Sequence, residues 1–332
     1  MITDAEFETW EGWKDSRYAP NHFFQTYEWL SVVKATWIDL KITIRMIDGQ
    51  FALPVFSRRM GPLVLEGSPL RLHSTPYGGF LGGGPQEFKR EYMTGDFNEL
   101  TLQPCCTDDR AGWELKKTII IDLRNGCDAI WSGMKSETRN QVRKAMKSNV
   151  KVDIRRDAEW VEPVYEIFTK TYERQKVKAP VGIELFRQIA EKLVPEHALV
   201  FTAVYDKRIV AYAIICFDEK TAYYLDGGLD RRYRQVCPTN IIQWEVVQWA
   251  VARHLQSYDM CGANMESIAN FKAGFGGEVV NFPTREYTPT ILGAVAWTGY
   301  NMLRPAIKRF GGMLAGRSVA RHTLKGAGGN DG

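Results

Sequence analysis

Apolar residues along this chain fall into two recurring patterns. A spacing of three or four predicts helices over 26–37 (TYEWLSVVKATW), 157–175, 183–194 and 238–255, the last with Pro238 in its first turn. Alternation or short apolar runs predict strands over 40–47 (LKITIRMI), over 49–59 after an Asp-Gly turn, and over 115–123 (LKKTIIIDL). Three more runs, 198–205, 208–217 and 221–229, are separated only by Asp206-Lys207 and Asp218-Glu219-Lys220, the pattern of an antiparallel meander. A short strand at 257–262 leads into SIANFKAGFGGEVV (267–280), a helix-to-strand junction with Lys272 just before a glycine-rich corner. Segment 74–85 (STPYGGFLGGGP) is too rich in glycine for a regular element and reads as a loop. The chain is therefore α+β, and 332 residues suffice for two cores.

Composition adds exclusions. A net charge of +4 is too small for a bulk polyanion binder, so any nucleic-acid contact must come from a local patch. The six cysteines form no CxxC pair and have no histidine at zinc-ligand spacing, so no metal site is expected. Cys216 and Cys261 lie in apolar runs and read as core residues. The acidic, polar N-terminus is no signal peptide, and no run of about 18 apolar residues exists to span a bilayer. A reduced, cytoplasmic compartment fits.

Several segments, in order, carry a resemblance. FFQTYEWL opens the first half. TIIIDL followed by IWSGMKSETRNQVRKAMKSNVKV forms a strand and then a basic helix at the junction. YLDGG, PTNIIQWEVVQWA, YDMCG and IANFKAGFGG follow in the second half. Together they resemble the FemABX-like group of the double-GNAT acyltransferases over roughly residues 20–285. The resemblance implies two tandem GNAT-like domains with mixed sheets flanked by helices. The first is expected over 1–150, completed by 286–310, and the second over 151–285, with a basic tail at 311–332. It also implies transfer of an acyl or aminoacyl group to an amine, with aminoacyl-tRNA as donor in the best-known members and no bound cofactor. Two departures, Glu28 before Trp29 and the lack of any acid in TPYGGFLGG, point to a different acceptor from theirs.

Aminolysis of an ester needs a base, a stabilised oxyanion and aligned substrates. Lys272, beside Phe271, is the candidate electrophile; its plainer reading is a lysine on a helix C-terminus with a left-handed glycine cap. Asp226, at a strand end beside glycines, is the candidate base or amine-orienting group, or else a turn residue. Tyr224 on the same strand and Tyr77 in the glycine loop, which reads as a mobile cover with His73 before it, are candidate cleft residues. Arg231 and Arg234, in LDRRYRQVCPTN, can hold a nucleotide phosphate or simply be solvated. That loop lacks the glycine pair of a CoA cradle, and Pro238 removes one N–H donor, which favours a donor other than acyl-CoA. Residues 135–156 hold eight basic side chains against two acidic ones, and Arg139 and Arg143 share a helix face suited to phosphates. The resemblance adds Arg174 as an acceptor-phosphate contact.

The expected function is thus aminoacyl transfer from aminoacyl-tRNA to a small-molecule or lipid-linked, cell-envelope amine. The alternatives are an acyl-CoA-dependent N-acyltransferase acting on an amino sugar or amino acid, and a non-catalytic basic module binding RNA or membrane. From Tyr287 to Asn330 the sequence is apolar and then basic, without an acid. Residues 291–305 read as returning to the first core, or as part of a basic segment lying on an anionic membrane.

Overall fold

The computed structural model describes residues 1–70, 74–104, 112–174, 178–299 and 302. His73, Cys105, Cys106 and the tail at 311–332 lie outside the described residues.

The alternating segments of the first half become β1 (Ile2–Glu6), β2 (Leu40–Ile47), β3 (Phe51–Met60), β4 (Leu63–Ser68) and β5 (Phe97–Thr101). The second half contributes β6 (Glu114–Asp122), β7 (Lys151–Arg155), β8 (Ala198–Tyr205), β9 (Arg208–Phe217), β10 (Thr221–Leu229), β11 (Ser257–Asp259) and β12 (Glu278–Tyr287). All pair into one sheet in the order β1-β2-β3-β4-β5-β12-β6-β11-β10-β9-β8-β7. β12 is the seam. Its residues Thr284–Tyr287 pair with Asn98–Thr101 of β5, and Glu278–Thr284 pair with Glu114–Ile120 of β6. Buried Thr101 and Thr284 join their hydroxyls across that seam at 2.8 Å.

The helices are α1 (Tyr27–Thr36), α2 (Gly126–Gly133), α3 (Ser136–Lys147), α4 (Val161–Glu173), α5 (Ile183–Lys192), α6 (Pro238–Ala252) and α7 (Glu266–Ala273). They bury apolar residues in two large cores. In one, Phe23, Phe24 and Trp29 around α1 meet Trp160, Phe186 and Tyr223, and α1 packs on α5. In the other, Ile130 and Val142 of α2 and α3 meet Phe201, Ile242, Val247 and Phe275. The core around Trp29 and Trp160 thus joins residues from both halves of the chain. Burial of so many large side chains, each worth roughly 1.5–3 kcal/mol, makes this junction a packed solid rather than a hinge.

The meander appears over the expected residues, and α1, α5 and β2 lie within about two residues of their predicted bounds. β1, β4, β5 and β7 carry no clear periodicity and were not legible. β1, for example, is mostly exposed at the sheet edge, so its sequence ITDAE shows no alternation. Among the described residues no helix is long and apolar enough to cross a membrane.

Candidate active site at the divergence of β10 and β11

β10 pairs in parallel with β11 only over Thr221–Tyr223. β10 then runs on to Leu229, still paired with β9, with a bulge between Tyr224 and Asp226. The chain after β11 turns away through Cys261 and Gly262, whose φ values are 45° and 60°. The two strands therefore open into a V, and the edge of β10 from Tyr224 onward has no strand partner among the described residues.

Lys272 sits at the apex. It lies on the last turn of α7 and is only 6% exposed. Its ammonium donates to the backbone carbonyls of Met260 at 2.6 Å and Gly262 at 2.8 Å, and also to that of Cys261. It stands 5.3 Å from the centre of the Tyr224 ring. Burial lowers its pKa, while nearby Cys261 and Asp259 act in the opposite sense. All three N–H donors are engaged, so Lys272 clamps the chain where it leaves β11. The glycine corner behaves differently from a simple left-handed cap. Gly274, the C-cap, has φ −61°, and a Cβ there would lie 2.3 Å from the Thr138 hydroxyl of α3. The left-handed residue is Gly276, with φ +84°.

Asp226 lies just past the bulge and is half-buried. Its Oδ2 accepts a hydrogen bond from Tyr212 of β9 at 2.5 Å. Burial pushes its carboxyl up from 3.8 to about 6, against the hydrogen bonds from Tyr212 and the Gly227 N–H. A carboxyl in that range can take a proton from an attacking ammonium near neutral pH. Tyr212 was not singled out from the sequence; its pairing with Asp226 depends on the β9–β10 register, which places it opposite Gly228. Tyr224 is half-buried between Lys272 and Gly227, and a Cβ on Gly227 would lie 2.0 Å from its hydroxyl. Phe271 is half-buried and packs edge-on against Phe275 at 5.4 Å.

Other candidates fall elsewhere. Tyr77 does not face a cleft: it is 1% exposed, packed edge-on against Phe282 at 5.1 Å and Phe24 at 6.3 Å. Its glycine loop is tied down by Gln25, whose amide donates to the carbonyls of Gly78, Gly79 and Phe80. Arg139 is not on an open phosphate face. It caps the C-terminus of α2, donating to the carbonyls of Ser132 at 3.0 Å and of Met134. Arg143 is exposed and lies 5.2 Å from the Trp131 ring centre. Arg231 and Arg234 are exposed on the short 3-10 helix Arg231–Val236, which packs on α3 and precedes α6. Exposed Arg143, Lys144 and Lys147 therefore sit on the element next to theirs. Arg174 is exposed at the C-terminal end of α4. Asp259 anchors the turn after β11, accepting from the Cys261 N–H at 2.8 Å and from the Thr118 hydroxyl at 2.5 Å.

Residues 133–273, which contain the whole V, match the family model of the acetyltransferase (GNAT) domain. No curated protein matches the sequence. Among solved structures, FemX superposes with a TM-score of 0.62 at 13% identity, over 85% of this chain and 96% of that one. A tandem GNAT protein from the clavulanic acid biosynthesis pathway gives 0.54 at 12% identity, over 87% and 100%. The C-terminal domain of a putative lysylphosphatidylglycerol synthetase from Agrobacterium fabrum gives 0.52 at 11% identity, over 84% and 92%. Identities this low speak to fold, and the fold agrees with the tandem arrangement expected from the sequence. The chain thus has the tandem GNAT fold seen in FemX, and its residues 133–273 match the acetyltransferase (GNAT) domain model.

Proposed function

We propose that the protein forms an amide bond by moving an aminoacyl group from a charged tRNA to the amine of a small-molecule or cell-envelope acceptor. The observation that carries this reading is the V between β10 and β11, where the edge of β10 has no strand partner among the described residues and holds Asp226, whose carboxyl burial pushes up to about 6. An extended acyl group can lie along such an edge, its polar atoms meeting the backbone of β10. The acceptor amine gives its proton to Asp226 and attacks the ester carbonyl. The tetrahedral intermediate then collapses, the C–O bond to the tRNA ribose breaks, and that oxygen takes a proton back.

Tyr212 positions Asp226, and Lys272 fixes the apex of the V and adds positive potential beside Tyr224. For Lys272 to touch an oxyanion it must exchange one of its carbonyl partners for substrate. The exposed Arg143, Arg231 and Arg234 are suited to tRNA phosphates. The chemistry requires no dissociable cofactor, and the cytoplasm is where charged tRNA is available. The fold shared with FemX and with a putative lysylphosphatidylglycerol synthetase supports an aminoacyl group as cargo. Pro238 at the start of α6 leaves one fewer N–H for a CoA pyrophosphate, which argues against the acyl-CoA reading.

The test offers labelled aminoacyl-tRNAs and, separately, labelled acetyl-CoA with a pool of amines. The reading expects amide product from tRNA only. Product from acetyl-CoA alone would replace it with the CoA-dependent reaction, and no product from either would favour a binding module.

A further inference from the structure

Gln243 lies in the middle of α6 and is 1% exposed. Its Oε1 accepts from the hydroxyl of Tyr258, a fully buried residue of β11, at 2.6 Å. Its other partner is on the neighbouring strand. Burial raises the pKa of the Tyr224 hydroxyl, the charge of Asp226 adds to the rise, and a hydrogen bond with the Gln243 side chain opposes it. A side-chain amide has an acceptor oxygen and two N–H donors, so Gln243 can serve both phenols at once. Tyr258 belongs to β11 and Tyr224 to β10, so one amide spans the two strands of the V.

Tyr224 carries that tie to the groups at the apex. Its ring centre lies 5.3 Å from the Lys272 ammonium, and Lys272 donates to the carbonyls of Met260 and Gly262, just past Tyr258. The contacts therefore close into a ring: Tyr258 to Gln243, Gln243 to Tyr224, Tyr224 to Lys272, and Lys272 back to the chain leaving β11. The Tyr224 hydroxyl also lies against Gly227, where a Cβ would stand 2.0 Å from it, and Gly227 directly follows Asp226. A buried amide is costly to leave unpaired, so these bonds are retained and hold the Tyr224 ring in one orientation.

We propose that Gln243 is a positioning residue for acyl transfer: by tying Tyr224 to Tyr258 it holds the Tyr224 ring between Lys272 and Gly227, and so fixes the wall of the V against which the acyl group lies. This rests on the reading of the V as the site of acyl transfer, and adds to it a residue that touches neither substrate.

The test compares Gln243→Met, Tyr224→Phe, their double variant and Gly227→Ala with the parent, per folded molecule and below the melting transition. With whichever donor the parent uses, Gln243→Met should lower kcat roughly 10²-fold with KM little changed, as misplacement near a reacting centre does. Tyr224→Phe should match that loss, and the double variant should be no slower than either single one. Gly227→Ala should give the same loss, since its Cβ displaces the same hydroxyl; the position is exposed, which keeps the test open should Gln243→Met fold poorly. A second readout needs no substrate: acetic anhydride labelling of Lys272, read by mass spectrometry. Lys272 should be protected in the parent and lose that protection in Gln243→Met and Gly227→Ala. Parental kcat in Gln243→Met, losses that multiply in the double variant, or parental protection of Lys272 in both labelled variants would overturn the proposal. A parent that transfers no acyl group from tRNA or CoA would refute the reading of the V instead, and the labelling alone would then decide whether Gln243 holds Tyr224 against Lys272.

Discussion

The Tyr212 hydroxyl donates to the Asp226 carboxylate at 2.5 Å across the β9–β10 pair, beside the point where β10 loses its other neighbour. This bond fixes the orientation of a carboxyl that burial has brought into the range useful for proton transfer. If Asp226 accepts the amine proton, Asp226→Asn should lower kcat roughly 10²–10⁴-fold with little change in KM. The parent rate should rise with pH through about 6, and Tyr212→Phe should move that inflection. A pH profile in Tyr212→Phe superposable on the parent's would remove the positioning role.

The same carboxyl shapes stability. Its folded value, about 6, lies above 3.8, so the folded state holds the proton more tightly and stability is lost as pH rises from 3.8 through 6. The loss is on the order of 1–3 kcal/mol, and Asp226→Asn should flatten it. His22 works in the reverse sense. Burial lowers it from 6.5 to about 4, so its contribution is present above 6.5 and lost as pH falls toward 4. Denaturant melts of Asp226→Asn and His22→Gln across pH 4–7 should therefore change slope in opposite directions.

Lys272→Ala should both unfold more readily and turn over more slowly. Removing the ammonium strands the carbonyls of Met260, Cys261 and Gly262, at a cost of about 2–4 kcal/mol. Turnover per folded molecule, measured below the melting transition, separates the two effects. Full activity per folded molecule would make Lys272 a structural clamp alone.

Arg139→Ala and Arg143→Ala should part company. The first uncaps α2 and should cost roughly 1–2 kcal/mol of stability. The second should leave melting nearly unchanged, weaken tRNA binding and reduce its salt slope by about one. Equal salt slopes in the parent and Arg143→Ala would assign that arginine to solvent.

Much of the second half was legible because its strands are apolar on a buried sheet and its turns are short and charged. β8, β9 and β10 follow from 198–229 almost residue by residue. The V itself was not legible, since it arises from where β10 and β11 stop pairing, and no local pattern encodes that. Lys272 and Asp226 could be singled out as charges beside glycines, but not their partners. Lys272 reaches carbonyls ten to twelve residues back, and Asp226 meets a tyrosine across a hairpin. Arg139 and Tyr77 show the converse. Spacing placed Arg139 on an open face and glycines placed Tyr77 on a mobile loop, whereas a helix end and an aromatic core claim them.

The most direct measurement is a crystal structure with a non-hydrolysable aminoacyl-adenosine amide, a mimic of the charged tRNA end. The account predicts its aminoacyl group along the free edge of β10, with the carbonyl carbon within reach of an amine hydrogen-bonded to Asp226. A mimic seated elsewhere, for instance against the Gly78–Gly84 loop, with the V empty, would contradict it.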